Sequence, residues 1–163
     1  MKINIVRTFI MILLLGTFFA IFQFSNQKGE ESGNLSGKIA KFLVEKLPIK
    51  NTKQTLKRTE AIIRKIAHFS IYTLLGFLLM SFISTYHLEE NKRIISSFFI
   101  GILYATSDEI HQRFVPGRSC QITDIILDSM GVLLGILLLL TLFEIQKKIK
   151  VKINRQNIAK SLI

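Results

Sequence analysis

Four nearly uninterrupted apolar runs limit what this chain can fold into. Crossing the hydrocarbon core of a bilayer takes about 20 consecutive apolar residues in a helix. Residues 5–24, 66–86, 94–112 and 122–143 approach or meet that length. The third run is free of charge only as far as Ser107 and is short unless its polar end, Asp108 to Gln112, continues the helix into the interface. With 49% apolar residues and a mean hydropathy of +0.40, the chain is too apolar for an ordinary soluble domain of its length. The expectation is an all-α membrane protein, a single domain of about four transmembrane helices with both termini on one side.

The first run ends Phe18-Phe19-Ala20-Ile21-Phe22-Gln23-Phe24. It lacks the small residues at alternate positions that a signal-peptide cleavage site requires, so it reads as a retained anchor. Residues 25–65 form a long basic loop. Within it Leu35, Ile39, Phe42, Leu43 and Leu47 recur at helical spacing opposite Lys38, Lys41 and Lys46. An amphipathic helix over 35–47 follows, ended by Pro48, lying on the membrane or packed on its own bundle.

Lys and Arg number 22 against 11 Asp and Glu, a net charge of +11. The basic residues sit between and beyond the apolar runs, which points to anionic lipid and topology signals. Nucleic acid is set aside, because Lys147, Lys148, Lys150, Lys152 and Arg155 lack the interleaved aromatics of a single-strand binder. The basic tail, residues 144–163, and the short Lys92-Arg93 turn place both termini in the cytoplasm, while the lysines of the 25–65 loop argue the other way. Cys120 is the only cysteine, so neither an intrachain disulfide nor a cysteine metal site can form.

Polar residues recur on one face of each later helix. Lys65, His68, Tyr72 and Gly76 follow at intervals of three and four, as do Gly101, Tyr104, Asp108 and His111, and then Asp124, Asp128, Gly131 and Gly135. Successive spans run antiparallel, so the start of the second, the end of the third and the start of the fourth meet at one membrane face. The deeper glycines, Gly131-x-x-x-Gly135 among them, permit close backbone approach. Asp108, Glu109, Asp124, Asp128, His68, His111, Lys65 and Arg118 exceed what anchoring a bundle requires, and such groups near lipid are costly. They read as a functional site or as a salt-bridge network that fixes the fold.

Four stretches carry a resemblance: Arg64-Lys65-Ile66-Ala67-His68-Phe69-Ser70-Ile71-Tyr72, Tyr104-Ala105-Thr106-Ser107-Asp108-Glu109-Ile110-His111-Gln112, Phe114-Val115-Pro116-Gly117-Arg118-Ser119, and Asp124-Ile125-Ile126-Leu127-Asp128-Ser129-Met130-Gly131. In this order they resemble the VanZ-like family, named for a teicoplanin-resistance protein. The resemblance spans about Arg64 to Gly135. It implies a small multi-pass protein of the bacterial cell membrane, in some members linked to tolerance of glycopeptide antibiotics, with no established reaction.

Two functions are weighed on these residues. In the first, the pocket binds a phosphate-bearing membrane lipid or lipid-linked envelope precursor, with Lys65 and Arg118 as cationic donors and His68, Tyr72, Gln112, Asp124 and Asp128 completing the site. In the second, an intramembrane hydrolase or transferase acts on a lipid headgroup, with Glu109 or His111 as general base and Asp108 or Asp124 orienting it. Serine-hydrolase, phosphate-loop and zinc-protease signatures are absent. No cofactor and no metal are expected: Asp108-x-x-His111 is the nearest approach to a ligand pair, and two cations nearby oppose a divalent ion. Transport would require a homo-oligomer, since four helices offer little room for an alternating pathway.

Overall fold

The computed structural model describes residues 2–27, 29–46, 52–118 and 120–161, and the side chains of all but the end residues and 29–35. Among these residues the structure is all-helical: α1 (Lys2–Asn26), α2 (Gly29–Lys46), α3 (Lys53–Ile83), α4 (Glu90–Gln112) and α5 (Ile122–Ser161). Each apolar run is a helix. The expected stop of α2 at Leu47-Pro48 lies outside the described residues.

Two boundaries differ by several turns from the sequence reading, and α4 begins one turn early, at Glu90. The second apolar run begins at Ile66, but α3 begins at Lys53, about three turns earlier. Thr52 caps it, its hydroxyl accepting a hydrogen bond from the Thr55 backbone N–H at 3.1 Å. The added turns are mostly charged and polar, so they carry no apolar signature, yet Lys, Arg and Gln are good helix formers. The residues expected as a tail from 144 onward continue α5 to Ser161 for the same reason, exposed throughout their described length.

Cross-helix pairs fix the directions. Lys65, His68 and Phe69 of α3 meet Asp124, Asp128 and Gly131 of α5 in the same order, so these helices run parallel. Their interface is the most extensive in the molecule. α4 runs back between them, with Ser97 on Met80 near its start and Glu109 on Gln121 near its end. α1 runs with α4: Arg7 bonds to the Thr85 hydroxyl and carbonyl and lies over the Tyr86 ring, while Phe18 packs edge-on against Tyr104. α2 buries Ser36, Ala40 and Val44 and packs on α3, leaving Ile39 and Phe42 exposed. It therefore lies on its own bundle.

Glycines set the helix separation. A Cβ built on Gly131 would lie 2.7 Å from the Phe69 carbonyl oxygen, and those on Gly135 and Gly76 would run still closer to the Thr73 and Val132 backbones. Val132 is wholly buried, wedged against Gly76 of α3 and Gly101 of α4. Around this seam pack Tyr72, Leu75, Leu79, Met80, Ala105, Ile136 and Leu139. The small residues substitute dispersion contact for the hydrophobic drive that helices lack in lipid.

The outer surface is apolar, with Phe9, Ile12, Leu15, Phe19, Ile95, Phe99, Leu103, Ile126, Leu134 and Leu138 exposed. Three described helical stretches are long and apolar enough to cross a membrane: Asn4–Asn26, Lys53–Ile83 and Ile122–Ile158. α4 has 23 residues, with charged groups near both ends. The chain is a multi-pass membrane protein.

Candidate functional site

The polar stripes converge where α3 leaves its charged turns, α4 ends and α5 begins. A cavity of about 200 Å3 opens there, walled by Arg64, Lys65, His68, Glu109, Gln112, Gly117, Arg118, Gln121, Asp124 and Asp128. Seven of the residues singled out in the sequence line it. Tyr72 and Asp108 are buried near its floor, and His111 is not on its wall.

Each wall residue is held by its element. Lys65 pairs with Asp124 across α3 and α5, both ends partly exposed. Glu109 is almost fully buried and accepts the Gln121 backbone N–H at 3.1 Å, tying the end of α4 to the start of α5. Gln112 donates to Asp108 at 3.0 Å and to the Ser25 hydroxyl of α1 at 3.2 Å. Both bonds are buried, so this glutamine locks the end of α4 to the end of α1.

Arg118, expected as a cationic donor to a ligand, lines the cavity and is also engaged within the protein. Its guanidinium donates to the Phe24 carbonyl at 2.7 Å and the Gln27 carbonyl at 3.1 Å. These are carbonyls at the C-terminal end of α1, which a helix leaves without internal partners and which carry partial negative charge. Burial and the neighbouring Arg64 lower the Arg118 guanidinium from its ordinary value, while Asp108 and Glu109 act to raise it. The loop before Arg118 turns at Gly117, whose φ of 79° favours glycine.

His111 faces α1, its ring 5.0 Å from that of Phe22, and its Nε2 is buried without a partner. Of the two candidate general bases, Glu109 stands on the cavity wall and His111 faces away from it. Sequence spacing missed Arg64 and Gln121 as wall residues. Arg64 stands one position before Lys65 and makes only a loose 3.9 Å approach to Glu60, leaving its fork available to the cavity.

At the floor, ligand atoms of His68, Asp108 and Asp128 lie within 4.8 Å of one another. His68 Nδ1 stands 3.8 Å from an Asp128 oxygen. Both Asp128 oxygens and the Tyr72 hydroxyl are buried without a hydrogen-bond partner.

A multi-pass helical bundle with an acidic and basic cavity at one end defines the class: an α-helical membrane protein with a polar interhelical site. The family model described as VanZ/LLP1 matches residues 9–144, most of the chain, and the chain belongs to that family. The match takes in most of α1, all of α2 and the first half of α5 as well as the stretches that carried the resemblance. No curated protein and no solved structure matches the chain.

Proposed function

We propose that this is a four-span protein of the bacterial cell membrane that binds the phosphate-bearing headgroup of a membrane lipid or lipid-linked envelope precursor in the α3–α4–α5 cavity, and that it contributes to glycopeptide tolerance by doing so. In this reading α4 is the fourth span, both termini are cytoplasmic and the cavity opens outward. One observation carries the reading: an open cavity at the polar end of the bundle is walled by Arg64, Lys65 and Arg118. Phosphate is recognised by such a set, with Arg in a forked geometry and Lys as a point charge. Arg64 is the main phosphate ligand, because Lys65 is shared with Asp124 and Arg118 with two carbonyls.

Lipids retained after purification in mild detergent, identified by mass spectrometry, test this. Wild type should retain a phosphate-bearing lipid that Arg64→Ala loses. Equal retention by a folded Arg64→Ala protein would refute the reading. Hydrolysis or group transfer on the same headgroup has one structural support, the buried Glu109 carboxylate on the cavity wall. Glu109 would then be the general base without His111.

A further inference from the structure

The sequence argued against a metal because two cations stand near the acidic residues. The structure removes that ground. Lys65 is engaged with Asp124, and Arg118 with the carbonyls of Phe24 and Gln27. Neither forms an ion pair with the deeper carboxylates, Asp108 and Asp128, which are 5% and 1% exposed. Two buried carboxylates this close call for a shared proton, a protonated His68 or a bound cation between them. Gln112 supplies one neutral donor to Asp108, and His68 approaches Asp128 only at 3.8 Å.

We infer that His68, Asp108 and Asp128 bind a divalent transition-metal cation, with the Tyr72 hydroxyl as a fourth ligand. The site is distinct from the headgroup contacts above it and does not depend on them. Three independent features support it. The ligand atoms come from three helices and already cluster within 4.8 Å, so small side-chain movements bring each to about 2.1 Å from a common centre. Both Asp128 oxygens are without hydrogen-bond partners, although buried carboxylates are ordinarily satisfied. The Tyr72 side chain is wholly buried, and its hydroxyl lies beside the Asp108 carboxylate without a hydrogen bond of ordinary geometry.

The donor set selects the ion. One imidazole with carboxylate and phenol oxygens suits zinc or manganese better than calcium or magnesium, which favour all-oxygen shells. An entry path exists, since His68 and Asp128 line the cavity wall while Asp108 lies behind them. The glycine seam below holds α3 and α5 at a fixed distance, so the ligands from these helices are positioned before an ion arrives.

The full chain in mild detergent, stripped with chelator, is equilibrated with Zn2+ or Mn2+ alone, desalted, and assayed for bound metal. Wild type should retain one ion per chain. His68→Gln, Asp108→Asn and Asp128→Asn should each weaken binding at least tenfold, and His87→Ala, which changes an exposed histidine in the α3–α4 turn, should not. Should the aspartate variants fail to fold, Mn2+-loaded wild type is read by pulsed electron paramagnetic resonance. Coupling to one imidazole nitrogen that persists in His87→Ala and is lost in His68→Gln supports the site. Failure of wild type to retain either ion, retention unchanged in folded His68→Gln, or loss of binding in His87→Ala would overturn it.

Discussion

Gly135→Ala adds a single methyl group where α5 crosses α3, and the two energies it sets against each other can be compared. In an exposed helix the change gains about 1 kcal/mol, because alanine has less backbone entropy to lose. Here the new Cβ would press on the Thr73 carbonyl and on the Phe77 backbone nitrogen, both main-chain atoms of a packed helix. Neither can rotate away as a side chain could, so α3 and α5 must separate. Separation loosens the wedge of Val132 between Gly76 and Gly101, and with it the contacts of Tyr72 and Ile136. Overpacking of this kind costs about 1–3 kcal/mol, and with rigid partners the upper end applies. The net expectation is a loss of about 2 kcal/mol, roughly a thirtyfold shift in the folding equilibrium. Gly16 of α1 supplies the comparison, since a Cβ there meets nothing within 4 Å. Gly16→Ala should be neutral or slightly stabilising. The chain has no Trp, so survival is best followed by size-exclusion chromatography after heating in detergent. A Gly135→Ala protein as heat-resistant as wild type, or one no worse than Gly16→Ala, would refute the claim that this seam sets the helix spacing.

Arg118→Lys should release the end of α1, because an ammonium cannot span the Phe24 and Gln27 carbonyls as the guanidinium fork does; a loss of about 1–2 kcal/mol and faster proteolysis near residue 27 are expected, and unchanged stability would argue against the tie. For orientation, single cysteines at Ser32 and Ser161 in a Cys120→Ser background report on the two faces: an impermeant thiol reagent applied to intact cells should label Ser32→Cys and spare Ser161→Cys, and the opposite pattern would reverse the proposed topology.

The faces that converge were readable in the sequence because helical periodicity fixes relative azimuth within one helix. Lys65, His68 and Tyr72 could not share a face without His68 and Tyr72 lying above Gly76, and the same rule aligned Asp124 and Asp128 with Gly131 and Gly135. Periodicity does not fix which neighbour a face meets. Asp108 and His111 stand on adjoining parts of one helix surface, and packing against α1 sends the second to Phe22 while the first remains at the cavity floor. The commitments of Arg118 were equally hidden, since they involve backbone carbonyls of a helix about 90 residues earlier, and carbonyls leave no mark in a sequence. Arg64 was quoted within a motif yet passed over, because its neighbour Lys65 already filled the expected cationic role.

α5 runs without interruption from the cavity to beyond the far end of the bundle, 40 residues in one helix. At 1.5 Å per residue its length is about 60 Å, of which about 45 Å lies past Gly131. Such a rod is a lever with its fulcrum at the glycine seam. A tilt of only about 5° there, too small to break any contact outright, sweeps the far end through about 4 Å. The exposed Lys147, Lys148, Lys150, Lys152 and Arg155 ride on that arm. Any sub-ångström adjustment around Asp124 and Asp128 that tilted α5 would thereby be magnified into a displacement of positive charge on the scale of a whole side chain.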